Sequence, residues 1–124
     1  MSKSKTLAVL FLLLSVALAA LAKDAPKNNM GVGQTRSITF VTPVKIGSAS
    51  LPAGNYRVEH VMEGENHVMV FQSLNKKEAT ARVNCQMIDL QKKAGETSQE
   101  YESQNGEKVL KALTFRGDTY KHQF

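Results

Sequence analysis

The feature that most constrains this chain is a two-residue alternation of apolar and polar side chains from Ser37 to Phe124. Turn-forming sequence interrupts it at short intervals, such as LPAG at residues 51–54 and the pair Asn105-Gly106. An alternation of this period places every second side chain on one face of a strand, and no stretch has the 3.6-residue period of a helix. The pattern predicts seven or eight short strands in a single antiparallel all-β meander.

The strands of such a meander have to close on themselves or protect their edges. For a domain of this size the compact solutions are a small barrel and a two-sheet sandwich. Sequential hairpins without a long crossover favour a barrel-like sheet, with the sandwich as the alternative. The strand near Pro43 and the weakly apolar segment at residues 98–103 are the candidate edges, because proline cannot donate a backbone hydrogen bond.

One hairpin determines which side chains we expect in the core. If residues 63–67 form its loop, Met62 faces Val68 and His60 faces Val70, so that even-numbered apolar residues share a face. A slip of one residue would scatter them. This register places His60 on the apolar face and leaves the second histidine of the hairpin in the loop.

The N-terminus has the pattern of a secretory signal peptide. Lys3 and Lys5 precede a run of apolar or small residues from Leu7 to Ala22, which ends in Ala-Leu-Ala and contains a single serine. The run is shorter than the roughly 20 residues that a membrane-spanning helix needs. We therefore expect cleavage after Ala22, no membrane span in the mature protein, and a periplasmic or secreted location.

Cleavage would divide the chain into a signal peptide at residues 1–22, a flexible leader at 23–36 and an antiparallel β domain at 37–124. Without Lys3 and Lys5, the 16 basic residues become 14 against 11 acidic ones, so the net charge falls from +5 to +3. This small charge, with no basic run longer than two residues, gives no reason to expect a nucleic-acid partner.

The single cysteine, Cys85, cannot form a disulfide within its own chain. It alternates with polar neighbours on the same strand face as Val83 and Met87. We interpret it as a buried thiol that acts as a small hydrophobic side chain, with an intermolecular disulfide as the alternative.

Residues 44–58 contain a strand followed by an LPAGxYxV hairpin, and they come after a signal peptide. This combination resembles a group of small, uncharacterised secreted bacterial β-domain proteins, with looser similarity as far as Phe124. The resemblance implies bacterial export and an all-β fold, and it implies no particular activity.

Catalytic and metal-binding patterns are weak in this sequence. The three histidines, His60, His67 and His122, have no His-x-His or His-x-x-x-His spacing, and the expected register keeps His60 and His67 apart. The acidic residues fall in or beside loops, where carboxylates are usually solvated. We therefore expect no enzyme, no cofactor and no metal site.

The first functional hypothesis is an exported, non-catalytic β domain that binds a protein or a cell-envelope component, with an edge strand as the simplest means of contact. The alternative is a carrier of small apolar ligands, with His60 and Tyr56 as weak candidates for polar contacts. A less favoured hypothesis is a small outer-membrane β-barrel, since the chain ends in Tyr120-x-His122-x-Phe124. Strands of five to eight residues are short for that role, which takes about 9–11.

Overall fold

The computed structural model describes residues 30–124, and the predicted signal peptide lies outside this part of the chain. These residues form nine β-strands, and no helix occurs among them. In chain order the strands are β1 (Thr35–Phe40), β2 (Val44–Ile46), β3 (Ala49–Leu51), β4 (Gly54–Glu63), β5 (Asn66–Ser73), β6 (Thr80–Asp89), β7 (Ser98–Gln104), β8 (Glu107–Thr114) and β9 (Tyr120–Gln123).

The strands are hydrogen-bonded in the order β1-β4-β5-β6-β9-β8-β2-β3, and β7 pairs with β8. All pairings are antiparallel except that of β2 with β8. The all-β, antiparallel single-domain prediction is confirmed. The sheet is not closed into a barrel, since its two end strands, β1 and β3, do not pair. Both are short, and β3 has only three residues, so they offer little backbone for closure.

The long strand β6 changes its partner along its length. Residues Thr80 to Cys85 pair with β5, whereas Gln86 to Asp89 pair with β9. One strand therefore joins the two halves of the sheet, and residues near Cys85 have neighbours from both β5 and β9.

The core is built from the alternating apolar side chains of these strands. At its centre the rings of Phe40 and Tyr56 are 5.2 Å apart, and those of Phe71 and Phe124 are 5.9 Å apart. Tyr56 is fully buried, and its hydroxyl donates a hydrogen bond of 2.6 Å to the carbonyl oxygen of Pro52. Tyr56 therefore ties the LPAG turn to the core.

The β4–β5 hairpin differs from the predicted register by one residue. Its turn has two residues rather than five, because Gly64 adopts a positive φ, which suits the first position of a two-residue hairpin turn. His60 consequently lies opposite Met69, not opposite Val70, and odd-numbered residues of β5 such as Phe71 face the core. The predicted core residue Leu74 is exposed instead.

The structure also locates the candidate edges. The segment at residues 98–103 belongs to β7, which pairs only with β8 among the described strands. Pro43 lies in the bend between β1, an end strand, and β2, which lies between β8 and β3. β1 begins at Thr35, two residues before the expected start of the domain.

The aromatic centre leads to a prediction about stability. Phe71→Ala removes a fully buried ring that contacts two other rings, so we expect the free energy of unfolding to fall by about 3–5 kcal/mol. Val41→Ala, at an exposed side chain, should change it by only about 0.5 kcal/mol or less. Urea unfolding of both variants measures the difference, and equal midpoints would contradict this description of the core.

Candidate metal centre

Three strands each bring one chemically reactive side chain to the same buried region. His60 comes from β4, Cys85 from β6 and His122 from β9. Their exposed fractions are 3%, 8% and 3%. Such burial is unusual for histidine and requires hydrogen-bonding or ligand partners. We call these three residues the His/Cys cluster.

Strand register explains why these residues meet. Cys85 lies directly opposite His67 of β5, and His122 lies directly opposite Met87 of β6. Residues that face each other across two strands share a face, as do residues two apart on one strand. Cys85 and Met87 therefore share a face with both partners, and His60 reaches the same face from β4.

The donor atoms of the His/Cys cluster are close enough to bind one ion. One nitrogen of each histidine and Sγ of Cys85 all lie within 4.8 Å of one another. The contact between Sγ of Cys85 and Nδ1 of His122 measures 3.7 Å. Typical zinc–nitrogen and zinc–sulfur bonds imply separations of roughly 3.3–4 Å between two donors on one ion. The cluster needs only small adjustments to reach this geometry.

The hydrogen bonds of His60 fix its tautomer. Its Nδ1 lies 3.1 Å from the carbonyl oxygen of Met30, and a carbonyl can only accept, so Nδ1 carries the proton. Nε2 then accepts a hydrogen bond of 2.9 Å from Nδ1 of His67. Metal-binding histidines commonly place one ring nitrogen on a backbone carbonyl and bind the ion through the other, which in His60 is the nitrogen that His67 contacts.

Side chains from β1 and from the loop between β8 and β9 cover one side of the cluster. Arg36 forms a 2.8 Å ion pair with Asp118, and its guanidinium lies 4.8 Å from the centre of the Phe115 ring. Phe115 in turn contacts the ring of His122, with centroids 5.8 Å apart. The cavity between this layer and the histidines has a volume of only about 10 Å³. That is room for about one water molecule.

Burial keeps the members of the cluster uncharged. It raises the pKa of the Cys85 thiol to about 11. It lowers the pKa of His122 to about 4, with further lowering from the nearby His60 and Arg36. Burial and the neighbouring His67 also lower the pKa of His60. At neutral pH the cluster therefore consists of a thiol and neutral imidazoles.

These pKa shifts bear on whether Cys85 and His122 form a catalytic dyad. A nucleophilic cysteine next to histidine has a lowered pKa and reacts as the thiolate. Cys85 and His122 are shifted in the opposite directions, which disfavours a thiolate–imidazolium pair. Neutral imidazole and a thiol that loses its proton to a metal are, by contrast, what a transition-metal site requires.

Cys85 also borders a surface depression of about 450 Å³. The depression lies beside the position where β6 changes partner, and carboxamide side chains form most of its wall. Its other lining residues are Asn66, Asn84, Gln86, Gln123 and Phe124. Cys85 therefore lies next to this depression, although its side chain is buried.

The two predicted ligand-binding candidates have different surroundings. His60 belongs to the cluster, whereas Tyr56 is a core residue whose hydroxyl is bonded to the backbone. The expectation that His60 and His67 do not converge is wrong, because the two-residue turn moves His67 into β5 beside His60. The sequence predicts a buried face for Cys85, but no pattern in it predicts that this face meets His60 and His122.

Comparisons with known proteins offer no relative from which a function could be inferred. The chain matches no protein-family model, no curated protein and no solved structure. The resemblance of residues 44–58 to small secreted bacterial proteins stays a prediction. The chemistry of the cluster is therefore the basis for assigning a function.

The lowered pKa of His122 predicts a loss of stability in acid. Between pH 6.5 and about 4 the unfolded chain binds a proton that the folded domain excludes, so stability falls as pH falls through this range. We expect the loss to be about 2–3 kcal/mol for this residue. Urea unfolding between pH 7 and 4.5, with a chelator present, measures it. His122→Gln should lose less over the same range, and an equal loss in both proteins would contradict the assignment.

Proposed function

We propose that this protein is an exported, non-catalytic β domain that binds one transition-metal ion at the His/Cys cluster. The observation that carries the proposal is the placement of two imidazole nitrogens and one thiol sulfur, from three different strands, within 4.8 Å of one another in a buried region. The donor types and their spacing favour metal binding over the other functions considered from the sequence.

The donor set limits the class of metal. Imidazole suits zinc, copper, iron and nickel, and thiolate suits copper and zinc, whereas calcium and magnesium take oxygen ligands. Binding would displace the thiol proton of Cys85, and the positive ion would stabilise the resulting thiolate. Affinity should therefore rise with pH.

The scaffold supports the proposal because it holds the donors in place before any ion binds. His60, Cys85 and His122 lie within strands rather than in loops, and the Met30 carbonyl orients the His60 ring. Sites built on regular elements and supported by further hydrogen bonds keep their geometry with little cost on binding.

Two other hypotheses receive different support. The carrier of apolar ligands would need an enclosed cavity, and the cavity beside His60 has a volume of about 10 Å³. A protein or envelope partner remains compatible with metal binding, since β7 has an unpaired edge among the described strands. No helix within residues 30–124 is long and apolar enough to cross a membrane.

Cobalt(II) tests the proposed site directly. We expect the exported protein to bind about one equivalent of Co²⁺ and to show a thiolate-to-cobalt absorption band, because Cys85 supplies the sulfur ligand. Cys85→Ser should abolish the band. Asn84→Ala is the matched control, since Asn84 is the preceding residue of β6 and is exposed on the opposite face. Absence of stoichiometric binding, or a band that survives Cys85→Ser, would refute the site.

Export is tested separately. The full-length chain, expressed in a bacterial host with a periplasm, should appear in the periplasmic fraction with an intact mass that begins at Lys23, because the Ala-Leu-Ala sequence ends the apolar run. Recovery of the uncleaved chain from the cytoplasm would contradict the proposed location while leaving the metal site open to test.

A further inference from the structure

We propose that the ion at the His/Cys cluster is monovalent copper; this inference rests on the proposed metal-binding function and specifies its ligand. Three features of the surroundings favour Cu⁺ over Zn²⁺. They are the number of donors, the charge of the filled site and the presence of thioether side chains.

The number of donors suits an ion that accepts three ligands. Zinc is almost always four-coordinate, with a fourth protein ligand in structural sites or a water in catalytic ones. Only His60, Cys85 and His122 form a mutually close set among the described residues, and the adjoining cavity has a volume of about 10 Å³. Among residues 30–124, His67 is a candidate for a fourth ligand through its contact with His60 Nε2, and Asp118 also borders the cavity but is paired with Arg36.

In the proposed copper site, His67 is not a ligand. It is partly exposed, and its Nδ1 donates to the nitrogen of His60 that would bind the ion. Copper would take the place of this hydrogen bond, and His67 would turn toward solvent. A zinc site would instead take a fourth ligand, which could be His67 or a water molecule in the small cavity. A requirement for His67 would therefore indicate zinc rather than three-coordinate copper.

Charge also favours a monovalent ion. Cu⁺ with the Cys85 thiolate and two neutral imidazoles gives a neutral site, whereas Zn²⁺ with the same ligands leaves a net positive charge. An uncompensated charge in a buried site is costly. Arg36 lies close enough to lower the pKa of His122, and its own charge is already paired with Asp118.

Two methionines with polarizable thioether side chains lie beside the cluster. Met69, which is 1% exposed, lies opposite His60 and borders the small cavity that His60 and His122 also line. Met87 lies opposite His122 and packs against the core. Thioether and thiolate ligands select Cu⁺, and zinc sites use nitrogen, thiolate and carboxylate ligands instead.

The test compares the two ions on the mature, exported protein under anaerobic, reducing conditions. Cu⁺ is supplied in competition with bicinchoninate, and Zn²⁺ in competition with a chromophoric zinc chelator. We expect one Cu⁺ per chain, bound at least about 100-fold more tightly than Zn²⁺. Cys85→Ser should weaken Cu⁺ binding by about 100-fold or more, because it removes the only thiolate.

Two further variants test the ligand set. Met69→Leu preserves side-chain volume and should weaken Cu⁺ binding about 10-fold, whereas Met62→Leu, at an exposed methionine away from the cavity, should leave it unchanged. His67→Gln should change Cu⁺ affinity by less than about 3-fold if the ion takes three ligands. A large loss of Cu⁺ binding in His67→Gln would overturn the three-ligand copper site.

The outcomes separate this inference from the proposed function. Tighter binding of Zn²⁺ than of Cu⁺, with a dependence on Cys85, would overturn the copper assignment and retain the metal site, whether or not His67 is required. Failure of both ions to bind the folded protein would overturn both. Tight Cu⁺ binding that requires Cys85 and Met69, but not His67, supports both.

Discussion

The two-residue turn of the β4–β5 hairpin is the constraint on which both the core and the cluster depend. Gly64 takes the positive φ that allows so short a turn, and this fixes every pairing between the two strands. Because side chains alternate across a strand, a shift of one residue would turn Met69 and Phe71 out of the core. It would also carry His67 away from His60. The geometry that builds the apolar centre thus also brings donor side chains together.

Hydrogen bonding alone accounts for only part of the cluster. Met30, His60 and His67 form a chain of hydrogen bonds, which is a sufficient reason for His60 to be buried. These hydrogen bonds do not explain why Cys85 and His122 are buried against each other nearby. The thiol–imidazole contact between these uncharged groups is long and contributes little stability, and apolar side chains would fill the space at lower cost. In the proposed site, an ion bound by the Cys85 thiolate and the His122 imidazole would offset the cost of burying these polar side chains.

The sequence predicts the local features of this fold well, but it does not predict the contacts between residues that are far apart in the chain. Alternation and turn residues predict the strands and the LPAG turn, and the burial of Cys85 follows from its alternation with polar neighbours. The contact between Cys85 and His122 joins residues 37 positions apart, and it depends on β6 leaving β5 to pair with β9. No local pattern encodes that change of partner. The hairpin error has a simpler cause, since EGEN allows a two-residue turn as readily as a longer loop.

Burial of Cys85 affects its reactivity as a nucleophile differently from its ability to bind a metal ion. A pKa of about 11 leaves very little thiolate at neutral pH, so attack on disulfides or on a second chain is slow. In the oxidising compartment that the signal sequence predicts, this protects the thiol from cross-linking. In the proposed metal site, binding of the ion would itself remove the proton. The same burial that makes Cys85 a poor nucleophile would therefore preserve it as a ligand.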